Sequence, residues 1–470
     1  MKFLAGLILI VLIAAGGFWI YAGRQPGPTI DISKPAKWVG ASTPVQVGVA
    51  AQKLKSVSVV FEQNGKQTTL YTITPATGAS TGQGDVKQDA VGRETVTTTI
   101  SRQTVPDLKT GAAKIIVTAS APVVRGLRTA QTTATKDVQV RLEKPTIAVL
   151  STKHYINLGG SEMVVYRSTP ADVESGVQVG DITYPGYPAS GVHVDGVAPI
   201  TDPALKVAFF ALLYDQDLNT PMFAYAKDEA GNSARADFDH LTFPKPFKKS
   251  RIDLPDSFLN RVVPAILETT DEVKPEGDIL QQFLVLNGDL RRKNAAKIAS
   301  FAKQSSPDML WNGVVFHSFT NNAVEAAFAD QRTYIYHGKE VDQQVHLGFD
   351  LARVVHSPIV AANRGKVVYA APLGIYGNCI IIDHGQGVQS LYGHLSSFGV
   401  KVGDTVEKEQ QIGVSGQTGL AGGDHLHFTM LVGGQQVTPV DWWSEKWLQD
   451  RVFRKIREAG ATTATGGGSM

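Results

Sequence analysis

Cysteine is almost absent from this chain. A single residue, Cys379, occurs in 470, so no intramolecular disulfide can form and stability rests on packing. Cys379 lies in "NCIIIDHG", a continuous apolar run, and reads as a small buried core residue rather than a nucleophile. A charge excess is also lacking. Lys and Arg total 45 against 43 Asp and Glu, a net charge of +2, and no long basic run occurs. Nothing global therefore points to nucleic acid. With 43% hydrophobic and 19% charged residues, the composition excludes general disorder, and the length predicts about three domains.

One long uncharged run is present, "FLAGLILIVLIAAGGFWIYAG", from Phe3 to Gly23. As a helix rising about 1.5 Å per residue it reaches across a hydrocarbon core of roughly 30 Å. Lys2 and the terminal amine favour a cytoplasmic N-terminus, and Trp19 and Tyr21 fall where aromatic side chains favour the interface. Two readings of residues 1–24 stand: an uncleaved transmembrane anchor or a cleaved signal segment. Leu4 to Ala15 has the length of a signal-peptide core. "GGFWIYAG" extends the run, however, and no clean small-x-small site follows, which favours the anchor. Both readings place the bulk of the chain in the cell envelope, outside the cytoplasmic membrane.

The expected fold is mainly β and multidomain. Residues 28–145 hold short runs rich in Val, Thr and Ile, such as "VQVGVAA" and "AKIIVTAS", which predict a β-sandwich module. "TPATGASTGQGD" within it predicts a long mobile loop. Residues 146–245 predict a second sandwich; its ending, an apolar strand then "DEAGN", resembles bacterial immunoglobulin-like modules. Residues 246–310 predict a proline-rich linker and a helical connector. There Asp256 or Ser257 is a candidate cap, and Asn287-Gly288 is expected to break one helix from the next. The domain at 311–450 is again rich in β patterns, and 457–470 predicts a disordered tail. The two sandwiches suggest a spacer between membrane and C-terminal domain.

Eight of the eleven histidines lie between 317 and 427. In "GGDHLHFTM", His425 and His427 alternate with Leu426 and Phe428, so a strand places both on one face. In "VHLGFD", His346 and Asp350 lie four apart, with Gly348 permitting a bend between them. Imidazole and carboxylate both ligate zinc, and a catalytic zinc takes three protein ligands plus an open position. His346, Asp350 and one of the His425/His427 pair supply three. A further histidine, His394, follows a strand in "SLYGHLSSFG".

Taken in order, H-x-G-x-D, Y-x-H-L and G-x-H-L-H-F resemble the LytM/lysostaphin family of zinc metalloendopeptidases, with their duplicated-hybrid-motif fold. "GKVVYAA" and "VKVGDTVEKEQQIGVSGQTG" extend the resemblance over roughly 335–445. The resemblance implies an antiparallel β peptidase domain, zinc bound by His346, Asp350 and His427, and His394 and His425 as unliganded catalytic histidines. It also implies a peptidoglycan stem or cross-link as substrate. Zinc lowers the pKa of water to about 7, and a neighbouring imidazole can take its proton or stabilise the oxyanion. One position departs from the pattern. Thr429 stands where the family often has Glu, and strand alternation turns it to the site face, which keeps open an alternative: a LytM-like module that binds peptidoglycan or activates another hydrolase. His317, His337 and His356 are claimed by no motif position and read as surface or supporting residues. Asp383-His384 reads as structural, and Asp424 as a loop-orienting residue. No residue identifies a protein regulator.

Overall fold

The computed structural model describes residues 2–23, 26–51, 54–73, 80–88, 93–193, 199–311, 313–319 and 321–465; the side chains at 2–9, 21–23, 125 and 460–465 are outside this description. The N-terminal run forms the helix Lys2–Gly23. Among the described residues no helix is long and apolar enough to cross a membrane. The expected membrane span is therefore not found among them.

The chain divides into two compact units, residues 1–145 with 227–233, and residues 146–226 with 234–470. In the first unit a four-stranded and a six-stranded sheet enclose one core. Ser56–Gln63 shows why: Val57, Val59, Phe61 and Gln63 are buried while the residues between them are partly exposed, the period of two that a strand with one covered face requires. The expected mobile loop "TPATGASTGQGD" is not wholly loop. Its residues 74–79 lie outside the described ones, but Ser80–Gly82 and Gly84–Gln88 are strands.

In the second unit, the strands of residues 146–245 do not enclose a core of their own. Val165, Val207 and Phe210 belong to one apolar cluster with Trp311, Phe428 and Trp442. Trp442 packs on Phe209 with ring centroids 5.6 Å apart, and its indole N–H donates to Ser161 at 3.3 Å. The Ser161 backbone N–H donates to Asp441 at 3.0 Å. A sandwich tethered freely as a spacer would show no such joint core, so this half of the spacer expectation is corrected.

The segment 246–310 is not a free linker either. Lys249–Asp253 is a strand, parallel to Asp330–Tyr336, which pairs antiparallel with Lys339–His346. The helix Asp256–Leu267 starts after Pro255, and neither Asp256 nor Ser257 caps it. No break occurs at Asn287-Gly288. The helix Ile279–Val285 runs through a π turn, Leu286–Leu290, into Arg291–Ser300. Leu286 and Leu290 are buried on both sides of the turn, and that packing holds the helix together despite Gly288.

The C-terminal sheet has the order Ala323–Ala326, Phe349–Ala352, Leu426–Val432, Val388–Leu395, Asn378–Gly385, Gly365–Pro372, Thr405–Val406, with Gln435–Val437 beside Leu426–Val432. Its pairings are antiparallel. Val388–Leu395 is buried on both faces. Tyr392 faces the cluster shared with residues 146–245, and Leu391 faces the connector helices through Phe283 and Leu286. Two covered faces explain why "NCIIID" shows no polar alternation. Cys379 is buried there and free, its thiol pushed up by burial. Arg454–Thr465 is helical with Ile456 and Ala459 buried, so apolar packing replaces the disorder expected from residue 457; residues 466–470 lie outside the described ones.

Candidate metal centre and cleft

Three strands carry the chemistry to one point. His346 ends Lys339–His346, and Asp350 lies in the next strand, Phe349–Ala352. The antiparallel register sets Asp350 directly opposite His427, and His427 opposite Gly393. Residues 77 apart in sequence thus become neighbours, and His394 arrives one step further along. Gly348 is needed for the approach: a Cβ there would meet His427 Cε1 and Nε2 at 2.5 Å each. His394 sits at φ +62°, a left-handed conformation that is uncommon for histidine and is found at functional sites.

The Asp350 carboxylate is the hub. Its Oδ1 lies 2.9 Å from His346 Nε2, 3.1 Å from His427 Nδ1 and 3.3 Å from His425 Nε2. His346 Nε2 and His427 Nδ1 are 3.0 Å apart. The other carboxylate oxygen, Oδ2, accepts from Arg332 at 2.9 Å. Burial alone would push the Asp350 carboxyl up; His346, His425 and His427 outweigh it and hold it well below the usual range. Burial lowers His427 to about 4 and, with His425 and His427 beside it, pushes His394 well below the usual imidazole value. Burial also acts downward on His425, but Asp350 outweighs it and raises that imidazole.

The donor set fits a metal ion. One ligand atom each from His346, Asp350 and His427 lies within 4.8 Å of the others, and all three residues are buried. A tetrahedral zinc with bonds of about 2.0–2.1 Å separates its ligand atoms by roughly 3.3 Å, close to the contacts observed. The far sides of the rings are fixed by carbonyls: His346 Nδ1 donates to Ala327, His394 Nδ1 to Thr418 at 2.8 Å and His425 Nδ1 to Gly423 at 2.9 Å. Such contacts set the tautomer and leave Nε2 facing inward.

All five motif residues, His346, Asp350, His394, His425 and His427, line one cavity of about 570 Å³. The remaining candidates do not. Thr429 is fully buried, and its hydroxyl donates to the Val437 carbonyl at 3.3 Å. His317 contacts Glu409 at 3.1 Å and lines a separate cavity. His337 stacks on Tyr336, and Asp424 accepts from the His356 backbone N–H at 3.2 Å. His384 is buried between Arg364 and Ser390. Residues without a motif signal join the site: Arg332, and Tyr376, whose ring centroid lies 5.3 Å from that of His427. The helix Asp256–Leu267 adds Phe258 and Arg261 to the wall.

These features define a candidate metal centre in a β domain. Residues 344–439 match the model of Peptidase family M23, and the C-terminal part of the chain is an M23 peptidase domain. The DD-carboxypeptidase/endopeptidase Mpg of Neisseria meningitidis serogroup B is 38% identical over 97 residues, 21% of this chain and 22% of its own length. The peptidoglycan DD-endopeptidase ShyA of Vibrio cholerae is 38% identical over 92 residues, 20% and 21%. Lysostaphin of Staphylococcus staphylolyticus is 40% identical over 90 residues, 19% of each. The chain thus matches about a fifth of the length of these relatives. The crystallised catalytic domain of lysostaphin from Staphylococcus simulans aligns with 28% identity and a TM-score of 0.23, covering 28% of this chain and 95% of that domain.

Proposed function

We propose that the chain is a zinc-dependent endopeptidase that hydrolyses peptide bonds in peptidoglycan stems or cross-links, held outside the cytoplasmic membrane by its N-terminal helix. The observation that carries this reading is the convergence of His346, Asp350 and His427 on one point, with two further inward-facing imidazoles beside them. His346, Asp350 and His427 hold the zinc, with Arg332 fixing the Asp350 carboxylate so that Oδ1 turns to the histidines. Zinc bound there supplies a Lewis acid and brings the pKa of a water to about 7.

The remaining residues handle protons and charge. His394 donates Nδ1–H to Thr418 and so presents a lone pair at Nε2, the form of a general base. His425 lies with Nε2 3.3 Å from Asp350, which favours the protonated ring and makes it the donor for a developing oxyanion. Tyr376, Leu420 and Phe258 close the cleft with apolar surface, which strengthens the electrostatic contacts inside. Peptidoglycan comes into the reading from the activities named for Mpg and ShyA. The test is digestion of purified peptidoglycan by the full chain. Soluble muropeptides are expected, and they should vanish with a chelator and in His346→Ala. Intact sacculi with the zinc-loaded chain would refute the reading.

A further inference from the structure

The cleft wall holds more positive charge than the metal centre uses. Three arginines, Arg261, Arg291 and Arg332, line the cavity against two carboxylates, Asp253 and Asp350. Arg332 is committed to Asp350 at 2.9 Å and Asp330 at 3.5 Å. Arg261 and Arg291 are not. Arg261 donates to the carbonyls of Ala421 and Gly422, and Arg291 to Asn287. Among the described residues no carboxylate pairs with either. Neither arginine belongs to the segment that matches the peptidase family.

Arg291 is also held in place. Its Nε donates to the Asn287 carbonyl at 3.0 Å and one terminal nitrogen to Asn287 Oδ1 at 2.6 Å. Asn287 is fully buried and donates to Asp342 at 2.8 Å. It stands in the π turn Leu286–Leu290, an insertion that recurs at functional sites. A guanidinium anchored along one edge keeps its other terminal nitrogen for a ligand, and its ordering cost is met before binding. Arg261, on the helix Asp256–Leu267, lines the same cavity and reaches the loop that leads into His425.

We infer that Arg291 and Arg261 form a carboxylate subsite in the cleft, so that the enzyme takes acidic peptides and reads a free carboxylate away from the scissile bond. This rests on the endopeptidase reading and adds to it the charge of the substrate. The probes are a cross-linked muropeptide dimer with free carboxylates and the same dimer with those carboxylates amidated. Affinities are measured with the zinc-loaded full chain carrying His394→Ala to prevent turnover. Amidation is expected to weaken binding about tenfold, and less than twofold once Arg291→Gln is added. Arg291→Lys should recover part of the preference, because it keeps the charge and loses the planar fork. Arg261→Gln, on an exposed helix surface, repeats the test without disturbing Asn287. Equal amidation penalties with and without the arginines, or no penalty at all, would overturn the subsite. Carboxylate-dependent binding with no cleavage by the unmutated chain would sink the endopeptidase reading and leave the subsite standing. Equal binding and cleavage of both dimers would do the reverse.

Discussion

Two clusters of buried charge lie in the second unit, and their difference separates architecture from chemistry. At the first, Lys455 donates to Glu162 at 2.7 Å and to the Met163 carbonyl at 2.8 Å, while Glu162 also accepts from the backbones of Tyr155 and Met163. Burial pushes the Glu162 carboxyl up and lowers Lys455 to about 8. Every polar atom there is satisfied and neither residue lines the 570 Å³ cleft. At the second, Asp350 gathers three imidazoles and an arginine, His427 Nε2 has no hydrogen-bond partner, and the cluster opens on the cleft. Burial and a shifted pKa are common to both. Converging lone pairs and access to a cavity belong only to the second.

The largest expected effects fall on the second cluster. His346→Ala should abolish both zinc binding and muropeptide release while leaving the thermal transition of the metal-free chain nearly unchanged. His394→Ala should keep zinc and lose turnover by roughly 10²–10⁴-fold, the range for a general base; metal analysis beside a kcat measurement decides this, and zinc loss would overturn the assigned role. The first cluster should respond in stability instead. Lys455→Ala removes the 2.7 Å partner of a buried carboxylate and leaves Arg451 at 3.9 Å as its nearest cation, so it should cost about 3 kcal/mol in denaturant unfolding. Glu162→Gln with Lys455→Met should recover most of that, and the double variant should cleave normally.

His384 predicts a smaller, pH-dependent effect. Burial lowers its pKa to about 4, below the unfolded value of about 6.5. A depressed folded pKa contributes stability that is present above pH 6.5 and lost as pH falls through 4, here on the order of 3 kcal/mol. Unfolding midpoints measured from pH 7 to pH 4 should fall in the natural chain and show a shallower slope in His384→Gln. Smallest of all is Thr429→Val. The hydroxyl meets Val437 rather than the site, so about 1 kcal/mol of stability should be lost, with activity changed less than about threefold.

The convergence of His346, Asp350 and His427 was legible in the chain because its signals are local. A histidine pair with period two names its own strand face, and H-x-G-x-D puts two candidate ligands on either side of a glycine bend. Arg332 was not legible, since only the pairing of Asp330–Tyr336 with Lys339–His346 brings it to Asp350. Arg291 depends on a π turn that looks like a helix break when read as Asn287-Gly288. The joint packing of residues 146–245 with the C-terminal part of the chain includes the pairs Ser161–Trp442 and Glu162–Lys455, 281 and 293 positions apart, and no local pattern encodes a contact of that span.

The most direct test of the account is metal stoichiometry in the purified full chain. One zinc per chain is predicted in the natural protein and in His394→Ala, and none in His346→Ala or Asp350→Ala. One zinc retained in His346→Ala, or none in the natural protein after incubation with excess zinc at pH 7, would contradict it.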